Sequence, residues 1–147
     1  PHLIRMIDEL YSREILRRTT MLLHVGHLKN PQGVADKVAK LCGSTIHVEV
    51  NVEGDVVTDF AQQVKACALG QASAAILSQH VIGASINEIT EARDALRHLL
   101  KGETAIFPEC FDDLKILAAV RDFPARHAST LLAFEATVAA ISSRSLS

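Results

Sequence analysis

Two alternating apolar runs joined by a short turn constrain this chain more than any other feature. In Thr45–Val52, Ile46, Val48, Val50 and Val52 alternate with His47, Glu49 and Asn51. A side-chain period of two sends the apolar set to one face of a strand and the polar set to the other. Glu53-Gly54-Asp55 is turn chemistry. Alternation then resumes from Val56 to Ala66 through Val56, Thr58, Phe60, Gln62 and Val64. Two such runs across a short Gly-containing loop predict an antiparallel hairpin with one face to bury, its core side carrying Ile46, Val48, Val50, Phe60 and Val64.

Helical patterns surround this hairpin. Ile7–Leu23 carries Ile7, Leu10, Tyr11 and Ile15 on one broad face and reads as a single amphipathic helix. Two Gly and one Pro between Val25 and Gly33 break it, and Val34–Leu41 fits either a strand or a short helix. A small-residue helix is expected from Ala68 to about Val81. Ser85-Ile86-Asn87-Glu88 is a capping box that opens a helix running to Leu100. Leu114–Val120 reads as a short apolar helix and Ser129–Ser142 as the last one. Residues 6–147 read as one domain of the α+β class: a small antiparallel β-sheet packed against several α-helices. The five residues before Met6 read as an added remnant, so His2 is given no role.

A chain of 147 residues with 48% hydrophobic content can bury a real core. Its net charge of −2 and scattered Lys and Arg leave no nucleic-acid footprint. No apolar run approaches the roughly 18 residues of a membrane span. Three cysteines, an odd number, argue against a secreted disulfide framework and for a reducing, cytoplasmic setting.

Cys42 lies just before the hairpin and Cys67 just after it, at a strand-to-helix junction. A thiol at a helix N-terminus faces unpaired N–H groups and the positive end of the dipole, which favour the thiolate that binds metal or attacks sulfur. The bland alternative is a pair of cysteines packed as small hydrophobes. His127 occupies another loop-to-helix junction and is a candidate third ligand. His47, on the polar strand face, is expected to face solvent, His24 and His27 sit in a loop, and His80 and His98 sit late in helices. Asp112-Asp113 reads as a helix-start or capping pair. There is no nucleophile elbow and no phosphate loop.

Tyr11-Ser12-Arg13-Glu14-Ile15, Asn30-Pro31, Cys42-Gly43, Cys67 with Ala72-Ser73, and Phe123-Pro124-Ala125-Arg126-His127-Ala128-Ser129-Thr130-Leu131 occur in this order. Together they resemble the NifU/IscU-type iron–sulfur cluster assembly scaffold family. The long stretch between Cys67 and the closing motif resembles its SufU branch, which carries an insertion there. In that family three cysteines and one aspartate surround a [2Fe–2S] or zinc site. The resemblance places Cys42 and Cys67 on the first two cysteines, Ser44 on the aspartate and Ala128 on the third cysteine, so the ligand set is degenerate. Cys110 follows Cys67 by 43 residues, a spacing like that of short family members. Residues 111–120 do not read as the terminal helix, however, so Cys110 is placed in the insertion, off the site. Beside the site it would be a non-standard third thiolate.

Three readings follow from the resemblance. The first is a non-enzymatic scaffold that holds iron, [2Fe–2S] or zinc on Cys42 and Cys67, with His127 as third metal ligand. Its partners would be a cysteine desulfurase and cluster-acceptor proteins, with no nucleic acid and no membrane. The second is a degenerate homologue that has lost the cluster site and acts as a partner-binding or regulatory module. The third is a small protein with structural zinc.

Overall fold

The expected hairpin is the centre of the molecule. In the computed structural model, which describes residues 2–144, strand β2 (Ser44–Glu53) pairs antiparallel with β1 (Gly33–Ala39) on one side and β3 (Val56–Lys65) on the other. Ile46, Val48, Val50 and Phe60 are buried, and Val64 packs partly buried against the same core. Burying each such side chain is worth about 1.5–3 kcal/mol relative to exposure. A one-residue slip would turn the whole set to solvent, so the register is firmly held.

The helices are α1 (His2–Leu10), α2 (Arg13–Arg18), α3 (Ala68–His80), α4 (Ile86–Leu100) and α5 (His127–Ser143), with 3₁₀ segments at Glu109–Asp122 and Pro124–Arg126. The result is a three-stranded antiparallel sheet packed against helices, the α+β arrangement expected. Helix α5 lies across β1 and β2 and against α3 and α4. Its approach depends on Gly33, where a Cβ would run into the Ala140 carbonyl. The Ser143 hydroxyl then accepts from Val34 N–H at 3.1 Å and donates to Val34 O at 3.0 Å, which covers part of the β1 edge.

Four local expectations are corrected or resolved. The single helix over Ile7–Leu23 is two short ones, because the Ser12 side chain caps α2 by accepting from Ile15 N–H and so competes with a continuous helical ladder. Val34–Leu41 resolves into strand β1. The phase of β3 changes at an irregularity beside Asn51 and Val52, so that Val57 is buried and Thr58 exposed. Leu114–Val120 belongs to the longer 3₁₀ segment, in which Phe111, Leu114, Leu117 and Val120 are all buried. The backbone is kinked at Phe111, and from Leu114 onward the spacing of three matches the three residues per turn of that geometry. The capping box at Ser85 and Glu88 forms as expected, with both reciprocal bonds present. Of the residues before Met6, Pro1 lies outside those described and the rest join α1.

The segment between α2 and β1 wraps the sheet. Leu23 N–H donates to Ser78 Oγ on α3 at 3.0 Å, and His24 and Gly26 then bond the Gln62 backbone at the free edge of β3. By Gln32 the chain has reached Val50 O and enters β1. Residues 27–31 therefore cross the sheet face that α5 leaves open. Among the described residues, no helix is long and apolar enough to cross a membrane.

Candidate functional site

The three-stranded sheet gathers chemistry at two places. At one end, Cys42 in the β1–β2 turn lies 3.1 Å from Ser44 Oγ at the start of β2. Ser44 Oγ lies 3.0 Å from Ser129 Oγ in the first turn of α5, and Ser129 Oγ lies 3.2 Å from Cys67 Sγ, the N-cap of α3. Two thiols from distant segments are thus joined through two buried hydroxyls in one chain of hydrogen bonds. Gly70 makes room for it: a Cβ there would come within 2.8 Å of Ser129 Oγ. The Ser44 hydroxyl draws the Cys42 thiol below its ordinary value. Burial opposes this, while the Ser44 backbone N–H, the Ser129 hydroxyl and the Arg126 charge act with it.

The remaining sequence candidates take no part in this chain of hydrogen bonds. Ala128 is exposed at the start of α5, next to the buried Ser129. The His127 Nε2–H reaches the carbonyl oxygens of Val120 and Arg121 at 3.0 and 3.1 Å, so this nitrogen closes the end of the 3₁₀ segment. Cys110 donates to Glu88 Oε2 at 3.4 Å at the head of α4. Burial there, reinforced by Glu88, pushes its thiol up to about 11. Asp113 pairs with Arg18 and Asp112 with Lys115.

Two thiols are half of the four ligands a closed tetrahedral site takes. The hydroxyls of Ser44 and Ser129 are un-ionised near neutral pH and are weak donors to metal. The donor set therefore suits cargo held by two thiolates with outside ligands, and does not suit a closed four-ligand metal centre.

The second place lies on the open face of the sheet, and there His47 departs from expectation. Its side chain is only 23% exposed, because Asp36 and Glu49 hold it from both sides. His27 and His47 converge on Glu49, whose side chain is 7% exposed. The His27 Nδ1 lies 2.6 Å from Glu49 Oε2, and the His47 Nε2 lies 2.8 Å from the same oxygen. Burial raises the Glu49 carboxyl, but bonds from His27, the Leu28 N–H and His47 outweigh it and hold the group at about 2. Glu49, followed by Asp36, raises His47 above its ordinary value. Sequence reasoning missed this cluster. The one local signal was His47-x-Glu49, which shares a strand face by period two; His27 arrives only through the wrapping loop.

Comparison with known proteins comes to one family. The model described as NifU-like N terminal domain matches residues 10–130. The zinc-dependent sulfurtransferase SufU of Bacillus subtilis is 25% identical over 138 residues, covering 88% of this chain and 88% of the relative. The iron–sulfur cluster assembly scaffold protein IscU of Streptococcus pyogenes is 28% identical over 135 residues, covering 92% and 84%. Among solved structures, a nitrogen-fixing NifU-like protein (N-terminal) from Brucella abortus superposes with a TM-score of 0.91 at 45% identity, covering 94% of this chain and 96% of that one.

Proposed function

The chain belongs to the NifU-like N-terminal domain family, whose members include iron–sulfur cluster assembly scaffolds, and we propose that it holds labile cargo for such assembly on Cys42 and Cys67. The cargo is iron, a [2Fe–2S] cluster or zinc. The observation that carries this reading is the convergence of the two thiols through Ser44 and Ser129 at one end of the sheet. A third ligand from His127 has to come through Nδ1, since Nε2 is engaged.

Sulfur arrives from a cysteine desulfurase. The Cys42 thiolate attacks the outer sulfur of the desulfurase persulfide, a new S–S bond forms, the old one breaks, and the desulfurase thiolate leaves and takes up a proton. The hydrogen bond from Ser44 favours the attacking thiolate. The chain then hands its cargo to acceptor proteins in the cytoplasm, working as a scaffold with no catalytic turnover of its own. Ligands that leave positions open suit something that has to depart.

One observation favours a second reading. Both thiols already have hydroxyl partners, so the chain of bonds is complete without metal, as a degenerate partner-binding or regulatory module would have it. Purification without oxygen, followed by iron, zinc and sulfide analysis, separates the two. Iron with sulfide, or zinc, that is lost in Cys67→Ser supports the cargo reading. A folded protein that takes up neither on reconstitution supports the module.

A further inference from the structure

We propose that the open face of the sheet holds a second metal site, independent of the cysteines, in which His27 Nδ1, His47 Nε2 and Glu49 bind one divalent transition-metal ion. One ligand atom from each residue lies within 4.8 Å of the other two, and the two named nitrogens sit 2.6 and 2.8 Å from Glu49 Oε2. Around an ion with bonds of 2.0–2.2 Å, tetrahedral ligand atoms sit roughly 3.3–3.6 Å apart. The two nitrogens need to draw back from the Glu49 oxygen by less than about 1 Å to admit an ion. Two imidazoles and one carboxylate are a donor set that divalent first-row metals take, with positions left open.

The stronger argument lies behind the three ligands. Each has its other polar atom held from outside the set. Asp36 Oδ1 faces His47 Nδ1 at 2.8 Å, which leaves Nε2 to point inward. The Gln63 amide meets His27 Nε2 at 2.8 Å, and rotating that amide by half a turn presents its oxygen to an Nε2–H. The Leu28 N–H donates to Glu49 Oε1 at 2.8 Å, which leaves Oε2 as the ligand. Such outer partners fix ring orientation and tautomer in metal sites. A hydrogen-bonded clasp joining the loop to the sheet would need the inner contacts alone. A groove lined by Asp36, Thr45, Gln63 and Lys65 runs beside His47.

The test uses the full chain, without an affinity tag, carrying Cys42→Ser and Cys67→Ser. Its outcome therefore does not depend on the cysteine reading. After treatment with chelator, the protein is titrated with Zn²⁺ by calorimetry and with Co²⁺ by visible absorption. The expected result is one equivalent of each metal, with cobalt bands and no thiolate charge-transfer band. His27→Ala should weaken binding at least about tenfold, and it removes a loop side chain that is 61% exposed. Glu49→Gln should weaken it further. Asp36→Asn should weaken it about tenfold while shifting the metal-free urea midpoint only slightly, because the Asp36 side chain is 75% exposed. A double-serine chain that takes up neither metal overturns the proposal, and so does uptake that His27→Ala leaves undiminished.

Discussion

Strand β2 carries both chemical sites, with Ser44 in one and His47 and Glu49 in the other, yet the two are built on opposite plans. At the sheet end the donor atoms bond to one another. Cys42, Ser44, Ser129 and Cys67 are joined in one chain, and among the described residues the only further partners are backbone groups beside the Cys42 thiol, the Ala39 carbonyl at 3.8 Å and the Ser44 N–H. On the open face, the donors are also held from behind by Asp36, Gln63 and the Leu28 amide. The first plan gives soft, neutral groups that must part to take a ligand. The second gives charged and imidazole groups already aimed at a point. Proximity of ligand-type atoms is common to both; a second partner behind every donor is what distinguishes the open face.

The largest effect expected at the sheet end comes from adding ligands. Ser44→Asp with Ala128→Cys should raise zinc affinity there at least about a hundredfold, or ~2.7 kcal/mol, measured by competition with a coloured chelator. It should leave the open face unchanged. No gain would show that position 128 does not face the thiols and would break its matching with the family.

On the open face, Glu49→Ala strands two imidazoles and an amide. In chelator, the urea midpoint should show a loss of about 2 kcal/mol. The pH dependence sharpens this. Glu49 has a depressed folded value of about 2 against an ordinary 4.5, so its contribution is full above 4.5 and disappears as pH falls through about 2. His47 has a raised value, so its contribution is full below its ordinary 6.5 and is lost as pH rises through the raised one. The penalty should therefore be greatest between these two ordinary values. A penalty that stays the same well below and well above that range would mean that the cluster does not act as a charged unit.

A smaller effect should separate the thiols themselves. Cys42 lies below its ordinary value and Cys110 is pushed up to about 11. Mass spectrometry after brief alkylation at mildly alkaline pH should find Cys42 modified about tenfold faster or more. Equal rates would remove the special character of the sheet end. Ser129→Ala should have the least effect, about 1 kcal/mol by urea midpoint. A loss as large as that of Glu49→Ala would erase the contrast between neutral and charged plans.

Local patterns were readable and remote ones were not. The hairpin followed from alternation at Ile46, Val48 and Val50, and Cys42 and Cys67 flank it, so their approach to one sheet end was also legible. The family motif points to Ala128 and not to its neighbour Ser129, and one position along a helix start changes the direction of a side chain by about 100°. His27 was beyond reach for another reason. Its place depends on how the segment after α2 wraps the β3 edge, and no period within the segment encodes that path. Ser12 shows the same limit on a small scale: one side-chain oxygen outweighed an apolar face that runs on through it.

The bond between Ser44 and Ser129 joins residues 85 apart, and that between Cys67 and Ser129 joins residues 62 apart. A ribosome adds about 5–20 residues per second. Cys67 is therefore made roughly 3–12 s before the hydroxyl that lies beside it. For that interval both thiols are bare, and the helix that covers the sheet does not yet exist. The nascent chain can be oxidised or can scavenge metal, but it cannot present the finished arrangement. Completion of the last helix is the event that joins the thiol end, so a chain stalled before Ser129 holds both cysteines without the hydroxyl that links them.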